Sequence, residues 1–209
     1  MSKYESVSNI VVSTSLDNII VKGEEIVWRG KPKKSAFIIN KILMMLPIAL
    51  IWLMIDSSFI MVALSSFDFK EIIWFIIPFF ALHLMPVWIW LGNVLTANKK
   101  WKNTEYAVTN KRIIIMSGFI GMDYQSIYYK DIKNVDLKIN VIDKVLKVGD
   151  IYFDTNQKVS PGFLDIENVY EIYPKIQKVV LDIQTDIEYP NNLRPKENDG
   201  YNTKYNVKI

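Results

Sequence analysis

The chain has 209 residues, of which half are hydrophobic and 22% are charged, and its formal net charge is +3. It contains no cysteine and a single histidine, His83, which excludes disulfides, thiolate nucleophiles, cysteine-bound zinc or iron–sulfur centres and multi-histidine metal sites. The mean hydropathy of +0.12 is high for a soluble domain and low for a chain that is mostly embedded in a membrane. We therefore expect a mixture of the two.

The first long apolar run follows a mostly polar segment, residues 1–35. The run is interrupted only by Asn40 and Lys41 and is long enough to cross a hydrocarbon core, which predicts a transmembrane helix over about 37–60. A carboxylate at the middle of a bilayer costs about 2.5–3.5 kcal/mol, so Asp56 is expected near the outer surface. The polar segment before the run disfavours a cleaved signal peptide.

A second apolar run extends from Ile72 to Asn98 and contains no Asp, Glu, Lys or Arg. It predicts a second transmembrane helix over about 72–97, so that the two helices occupy residues 36–98. A soluble protein with two buried core helices is the alternative interpretation. Ionisable residues inside a membrane are functional candidates, but His83 has no charged neighbour in its own helix. That isolation favours a neutral histidine hydrogen-bonded to a neighbouring helix or to the backbone near Pro78 or Pro86.

The basic residues predict the orientation of the two helices. The loop between them holds only Lys70, whereas the flanking segments are rich in lysine and arginine, which favours a hairpin with both chain termini in the cytoplasm. The flanking basic residues are Lys22, Arg29, Lys31, Lys33 and Lys34 before the first helix, and Lys99, Lys100, Lys102, Lys111 and Arg112 after the second.

From about residue 103 the sequence changes to short β-branched and aromatic runs separated by glycine and asparagine. This pattern is typical of strands and turns. A short helical or looped insert is expected at 140–148, ended by Gly149. The predicted strands are 105–109, 112–117, 122–129, 135–139, 150–154 and 163–166.

Apolar residues at three- and four-residue spacing over 169–187 predict an amphipathic helix at the end of this region. Asn168 is a candidate N-cap, and Pro174 should kink the helix or mark its true beginning. The predicted fold class is an α+β membrane protein, in which residues 99–188 form an antiparallel β-barrel closed by the amphipathic helix. Residues 189–209 are polar without an apolar period and predict a disordered tail.

Four short motifs lie in the predicted strands and turns: YAVTNKRI at 106–113, Gly118, IYYKDIKNV at 127–135 and GDI at 149–151. They resemble the bacterial pleckstrin-homology-like (PH-like) domain of the YdbS type. The upstream EIVWRGKP at 25–32 resembles the segment that precedes the first helix in such proteins.

The resemblance implies a PH-like barrel that follows a pair of helices in the bacterial cell membrane, and it implies no catalytic site. Lys147 departs from the family pattern, which has a second glycine before Gly149, and this departure concerns the shape of the local loop. The sequence leaves open whether residues 24–32 add a strand to the barrel across the membrane insertion.

Motifs for phosphates and metals are missing from the sequence. Neither GxxxxGK[ST] nor GxGxxG occurs, and the GxxG at Gly118–Gly121 lies between predicted strands, which favours a hairpin turn. Asp150, Asp154 and Asn156 do not match the spacing of a calcium loop. We therefore expect no cofactor, no metal and no catalytic residues.

The candidate contact surface lies where the second helix meets the first strands. Its basic cluster could anchor the helix or attract anionic lipid, and the apolar tip of the GFIG turn could enter the interface, pack on a partner, or be covered by the chain's own helices. The candidate residues are Phe119, Ile120, Lys99, Lys100, Trp101 and Lys102.

The leading hypothesis is a non-enzymatic, multi-pass protein of the bacterial cell membrane, whose PH-like domain binds a protein partner, a second copy of itself or lipid headgroups at the cytoplasmic face. No nucleic-acid partner is expected. The alternative is a subunit of a small transporter or channel in which His83 and Asp56 line a path, which would require oligomerisation because two helices enclose no pore.

Overall fold

The computed structural model describes residues 16–66 and 69–189. A 3-10 turn at Leu16–Ile19 precedes the strands and helices of the chain. In chain order these are β1 (Ile26–Gly30), α1 (Lys34–Ser66), α2 (Phe69–His83), α3 (Met85–Lys102), β2 (Glu105–Thr109), β3 (Arg112–Ser117), β4 (Asp123–Tyr128), β5 (Asn134–Lys138), α4 (Val141–Leu146), β6 (Val148–Asp154), β7 (Gly162–Glu167) and α5 (Val169–Glu188).

The strands form two antiparallel sheets, one with the order β1-β2-β3-β4 and one with the order β5-β6-β7. A short 3-10 helix at Tyr129–Asp131 carries the chain from the first sheet to the second. Among the described strands no hydrogen-bonded ladder joins the two sheets, so the prediction of a closed barrel is wrong. The predicted strands β2 and β3 are confirmed at both ends, and the other predicted strands are displaced by one or two residues.

Strand β1 answers the question that the sequence leaves open. It pairs antiparallel with β2, with Trp28 opposite Val108 and Gly30 opposite Tyr106. The helices α1 to α3 are therefore an insertion between two neighbouring strands of one sheet. Because adjacent antiparallel strands end at the same edge, the insertion must leave and return on the same side of the molecule.

The segment before β1 is fixed to the sheet by a buried ion pair. The Arg112 Nε donates to Glu24 Oε1 at 2.9 Å, and the Glu24 side chain is inaccessible to solvent. Burial alone would raise the pKa of Glu24, but hydrogen bonds from Arg112, the Val21 amide and Thr109 outweigh it and leave that pKa lowered. Glu24 therefore contributes to stability as a carboxylate.

The helical insertion differs from the two straight helices predicted. Helix α1 continues to Ser66, beyond the predicted end at about residue 60. The second predicted helix is divided into α2 and α3, which meet at Leu84 with a bend of 58°. Pro86 lies in the first turn of α3, where its missing N–H is tolerated, and it prevents α2 from continuing unbroken.

One described helix is long and apolar enough to cross a membrane: Lys34–Ala63, near the N-terminus. The bent pair Ile76–His83 and Met85–Lys102 passes the same test only if the two pieces count as one span. The described residues thus contain one candidate span and one bent pair, and the predicted two-helix membrane hairpin stays a prediction. Large apolar side chains such as Met44, Ile48 and Trp74 are exposed along these helices.

The main core lies between the two sheets and α5. Four aromatic rings meet at its centre, where Phe163 packs against Trp28, Tyr106 and Phe153 with ring centroids 4.7–5.4 Å apart. Helix α5 adds Ile176, Val179 and Val180, as the predicted apolar face requires. A second, smaller cluster covers the other face of the first sheet and consists of Leu16, Ala107, Ile114 and Met116.

The ends of α4 and α5 refine three predictions. Lys147 has a left-handed backbone with φ of 57° at the end of α4, which is the conformation that the missing glycine would favour. Asn168 occupies the N-cap position of α5 but makes no side-chain capping bond. Pro174 lies inside α5, which begins at Val169, so Pro174 does not mark its beginning. The predicted disordered tail falls on 190–209, and this segment lies outside the described residues, as does 1–15.

Candidate functional site at the helix–sheet junction

The two basic clusters that flank the helices in sequence lie together at one end of the insertion. The Trp101 Nε1 donates to the carbonyl oxygen of Pro32 at 2.8 Å, and the Lys31 Nζ donates to the carbonyl oxygen of Lys102 at 3.4 Å. The Lys34 Nζ lies 5.2 Å from the centre of the Trp101 ring, a cation–π contact. Trp101, a predicted contact residue, therefore joins the start of α1 to the end of α3.

The predicted GFIG tip is divided between two environments. The Phe119 ring lies beneath the end of α3, with Lys99 Nζ at 4.9 Å and Lys100 Nζ at 6.0 Å from its centre. Ile120 is 92% exposed. Phe119 is thus half-buried against the chain's own helix α3, and Ile120 is the more exposed of the two residues.

A pocket of about 330 Å³ opens between the helices and the first sheet. We call it the junction pocket. Its two cationic side chains are Lys41 from α1 and Lys100 from α3, and its wall is otherwise mostly apolar. The remaining lining residues are Phe37, Thr104, Tyr106, Ile115, Ser117, Gly118, Phe119, Gly162 and Leu164.

The two lysines of the junction pocket make weak contacts with uncharged side chains. The Lys100 Nζ donates to Asn93 Oδ1 at 3.2 Å, and the Lys41 Nζ lies 5.5 Å from the centre of the Phe37 ring. No described carboxylate forms an ion pair with either ammonium group. Lys41 is also close enough to Asp165, on its other side, to lower the pKa of that carboxyl. Because neither ammonium group is in an ion pair, both can still attract an anionic group that enters the pocket.

On the other side of Lys41, the start of α1 meets an acidic recess of about 120 Å³. The Asn40 Nδ2 donates to Asp165 Oδ1 at 2.6 Å, and the Asp165 amide donates to Asp150 Oδ1 at 2.9 Å. The Lys33 amide donates to the Asp165 carbonyl oxygen at 2.8 Å. Asp165 thus connects β7 to both α1 and β6.

The charge state of Asp165 follows from this environment. Burial first, and then the neighbouring Asp150, raise the pKa of Asp165 to about 6, against the opposing hydrogen bond from Asn40. Burial also raises the pKa of Asp150. The Asp165 backbone is left-handed, with φ of 57°, a conformation that aspartate and asparagine tolerate better than most residues.

The sequence prediction of the site included Lys100 and Phe119 but missed Lys41, Phe37 and Asp165. The signal for Lys41 was present, because Asn40 and Lys41 are the polar interruption of an otherwise apolar run. Polar residues inside such a run are functional candidates. Nothing in the local sequence marks Asp165, whose role depends on contacts to α1 and β6.

Farther along the insertion, His83 has a charged partner that its own helix does not supply. The His83 Nδ1 lies 2.8 Å from Asp56 Oδ1, and the Asp56 residue is only 2% exposed. Asp56 is thus buried where α1 meets α2, and its expected position near the outer surface of a membrane stays a prediction. Of the partners expected for His83, the one observed comes from a neighbouring helix, Asp56 of α1. Within residues 16–66 and 69–189, no cluster of three or more His, Cys, Asp or Glu side chains could hold a metal ion.

The strand order, the packing of α5 on the two sheets and the helices inserted before β2 can now be compared with known proteins. The model of the family described as bacterial PH domain matches residues 37–180. The chain belongs to the bacterial PH domain family. The match extends over the described helices of the insertion as well as β2 to β7, so the helices are part of what this bacterial PH domain shares with its family.

Similarity to individual proteins is more limited. The crystal structure of a DUF1696 family protein with a pleckstrin-homology domain, from Shewanella loihica PV-4, shares 20% sequence identity with this bacterial PH domain protein. The similarity covers 35% of this chain and 67% of that chain, with a TM-score of 0.29. No curated protein matches the chain.

Proposed function

We propose that this bacterial PH domain protein is a non-enzymatic, membrane-anchored module of the YdbS type. In this proposal α1 and the bent α2–α3 pair cross the bacterial cell membrane, both termini are cytoplasmic, and the junction pocket binds the headgroup of an anionic lipid. The observation that carries the proposal is the pair of ammonium groups, Lys41 and Lys100, in a mostly apolar pocket at the end of the helices.

The architecture supports a membrane hairpin. Because β1 and β2 are neighbouring antiparallel strands, the insertion starts and ends at one edge of the sheet. An insertion of this kind can enter a membrane and return without moving the domain to the other side. Many large apolar side chains of α1 are exposed. Exposed apolar patches mark surfaces that contact a membrane or a partner, and a bilayer would cover this one.

The position and charge of the junction pocket support an anionic headgroup as the ligand. Basic residues from both ends of the insertion gather beside the pocket, where lipid headgroups would lie if the helices span the bilayer. Each basic residue near an anionic leaflet contributes about 1 kcal/mol. Tethering by the helices also raises the effective concentration of lipid at the pocket, so a weak site would suffice.

The absence of cysteine from the sequence gives a direct test of topology. Single-cysteine variants Ser65→Cys, at the end of α1, and Lys130→Cys, after β4, are labelled in intact cells with a membrane-impermeant maleimide. We expect label on Ser65→Cys before lysis and on Lys130→Cys only after lysis. Equal labelling of both before lysis, or of neither, would refute the spanning hairpin.

The headgroup site is tested by lipid retention. The protein is reconstituted in nanodiscs of phosphatidylcholine with a minor fraction of phosphatidylglycerol, and the lipids that stay bound are counted by native mass spectrometry. The double variant Lys41→Gln/Lys100→Gln should lose up to roughly 30-fold in preference for the anionic lipid, the equivalent of two lysine contacts. The matched control is Lys31→Gln/Lys102→Gln, which removes two charges from the same end of the helices outside the pocket.

The two double variants distinguish a site from general surface charge. Loss of preference confined to the pocket variant supports the proposal, and equal loss in both would show diffuse attraction without a headgroup site. A stoichiometric protein that copurifies with the parent and is lost with Ile120→Asp would instead support a protein partner at the exposed tip.

The transporter or channel subunit remains the second candidate function, because Asp56 and His83 contact each other between the helices. It requires assembly of several copies around a path. Ion flux into proteoliposomes that disappears with His83→Ala would support it, and the absence of flux at every lipid composition and ion tested would refute it.

A further inference from the structure

A cavity of about 370 Å³ lies between α1 and α2, away from the junction pocket. This volume is within the range of small-molecule sites in proteins. Among the described side chains, its polar groups are Asp56 and His83, and its apolar wall is formed by Phe59, Ala63, Ile76, Phe79 and Phe80. A mostly apolar cavity with a few fixed polar groups is the usual form of a ligand site.

Asp56 supplies a second, independent observation. One side-chain oxygen, Oδ1, lies 2.8 Å from His83 Nδ1, but the other, Oδ2, is buried and has no hydrogen-bond partner in the part of the chain that the structure describes. Leaving a buried polar atom unpaired costs about 1–3 kcal/mol, more for a charged group. An oxygen in this position at a cavity wall is therefore suited to accept a hydrogen bond from a bound molecule.

His83 is held rigidly beside this oxygen. The Trp52 Nε1 donates to the His83 carbonyl oxygen at 2.7 Å, and the Phe79 ring stacks on the imidazole with centroids 5.1 Å apart. The Phe80 ring approaches it edge-on at 6.3 Å. The polar end of the cavity is thus already ordered, so a ligand would lose little affinity to rearrangement of the protein.

We propose that the Asp56–His83 cavity binds a lipophilic amine, with the amine donating to Asp56 Oδ2 and the hydrocarbon part lying against the phenylalanine rings. An amine suits the site better than an acid, which the carboxylate would repel. It also suits the site better than a plain hydrocarbon, which would leave Oδ2 unpaired. The aromatic rings add a cation–π attraction that an alcohol would not receive. The proposal does not depend on the headgroup site at the junction pocket.

The single histidine of the chain provides the readout. Full-length protein labelled with ¹⁵N-histidine gives imidazole signals from His83 alone. These signals are followed in lipid nanodiscs at fixed pH during titration with n-octylamine, n-octanol or n-octane. We expect a saturable shift with the amine, a much weaker response to the alcohol and none to the hydrocarbon.

Two variants and one control locate the binding. Asp56→Asn should weaken n-octylamine binding by roughly 10- to 100-fold, the loss expected for one hydrogen bond to a charged group. Ala63→Leu should fill the cavity and abolish the shift while the Asp56–His83 contact and the unliganded His83 signals persist. Ala81→Leu adds the same volume at an exposed position of α2 outside the cavity and should bind like the parent.

Several results would overturn the proposal. A shift of equal size with all three probes would indicate partition into the bilayer instead of binding. A response that persists unchanged in Ala63→Leu would place the effect outside the cavity, and the absence of any saturable response to n-octylamine would show that no amine site exists.

Discussion

Replacing Asp165 by asparagine should change how the stability of the protein depends on pH. The folded protein holds the Asp165 proton more tightly than the unfolded chain does, because the pKa is raised from 3.8 to about 6. The stabilisation from that proton is therefore complete at low pH and is lost as the pH rises through the folded pKa. Asp165 is 4% exposed, so solvent does not screen the effect.

The size of the effect follows from the two pKa values. Acidification from about pH 7.5 to about pH 5 should stabilise the folded parent by on the order of 1 kcal/mol through this group. For a protein of this size, that corresponds to a rise in melting temperature of roughly 2–4 °C. The neighbouring Asp150 and Asp143 raise the pKa further, whereas Asn40 and Lys41 lower it.

Asp165→Asn removes the charge but keeps the local structure. The asparagine oxygen can still accept from Asn40, and asparagine tolerates the left-handed backbone at this position. The variant should therefore be at least as stable as the parent near neutral pH and should lack the acid-induced gain.

The assay is thermal unfolding in detergent, followed by tryptophan fluorescence at both pH values. Other carboxylates change the melting temperature of parent and variant alike. The difference between the two proteins in how far the melting temperature shifts with pH therefore isolates the contribution of Asp165. A variant that melts lower than the parent at neutral pH and shows the same pH shift would refute the reasoning.

Two further predictions use the same assay. Glu24→Gln should destabilise the protein by roughly 2–3 kcal/mol near neutral pH, because it removes the charged partner of Arg112. Since the pKa of Glu24 is lowered, the difference in stability from the parent should shrink as the pH falls through that pKa. Identical melting curves of parent and variant would contradict this prediction. Gly118→Ala should also lower the melting temperature, because a Cβ there would lie 2.0 Å from the Gly121 carbonyl oxygen, whereas Gly121→Ala meets no atom within 4 Å and should be neutral. Equal effects of the two alanines would show that the turn is not constrained in this way.

The local pattern of apolar and β-branched residues was sufficient to predict the strands β2 and β3 and the helix α5. The β-branched runs of β2 and β3 and the apolar spacing of α5 are visible without tertiary contacts, since alternation and helical periodicity reflect which side chains face a core. The family motifs lie in the same strands and turns. The long apolar run of α1 was equally clear, although its end was not, because the polar residues from Asp56 to Ser58 do not end the helix, which continues to Ser66.

The pairing of distant residues was beyond the reach of the sequence. Whether 24–32 joins the sheet depends on β1 meeting β2 across the whole helical insertion, and no local pattern specifies such a partner. The same holds for the predicted closed barrel, which would require hydrogen-bonded ladders between the two sheets that the described strands do not form.

The candidate sites show the same division between what the sequence determines and what the tertiary structure decides. Composition and charge by themselves determined that thiol and multi-histidine chemistry is excluded and that basic residues flank the apolar helices. Only the tertiary structure decided that Lys41 and Lys100 share a pocket, that Phe119 lies beneath α3, and that Asp56 is buried against His83. The physical reason is that periodicity reports which face of an element is buried, whereas a site is made by side chains that packing brings together from different elements.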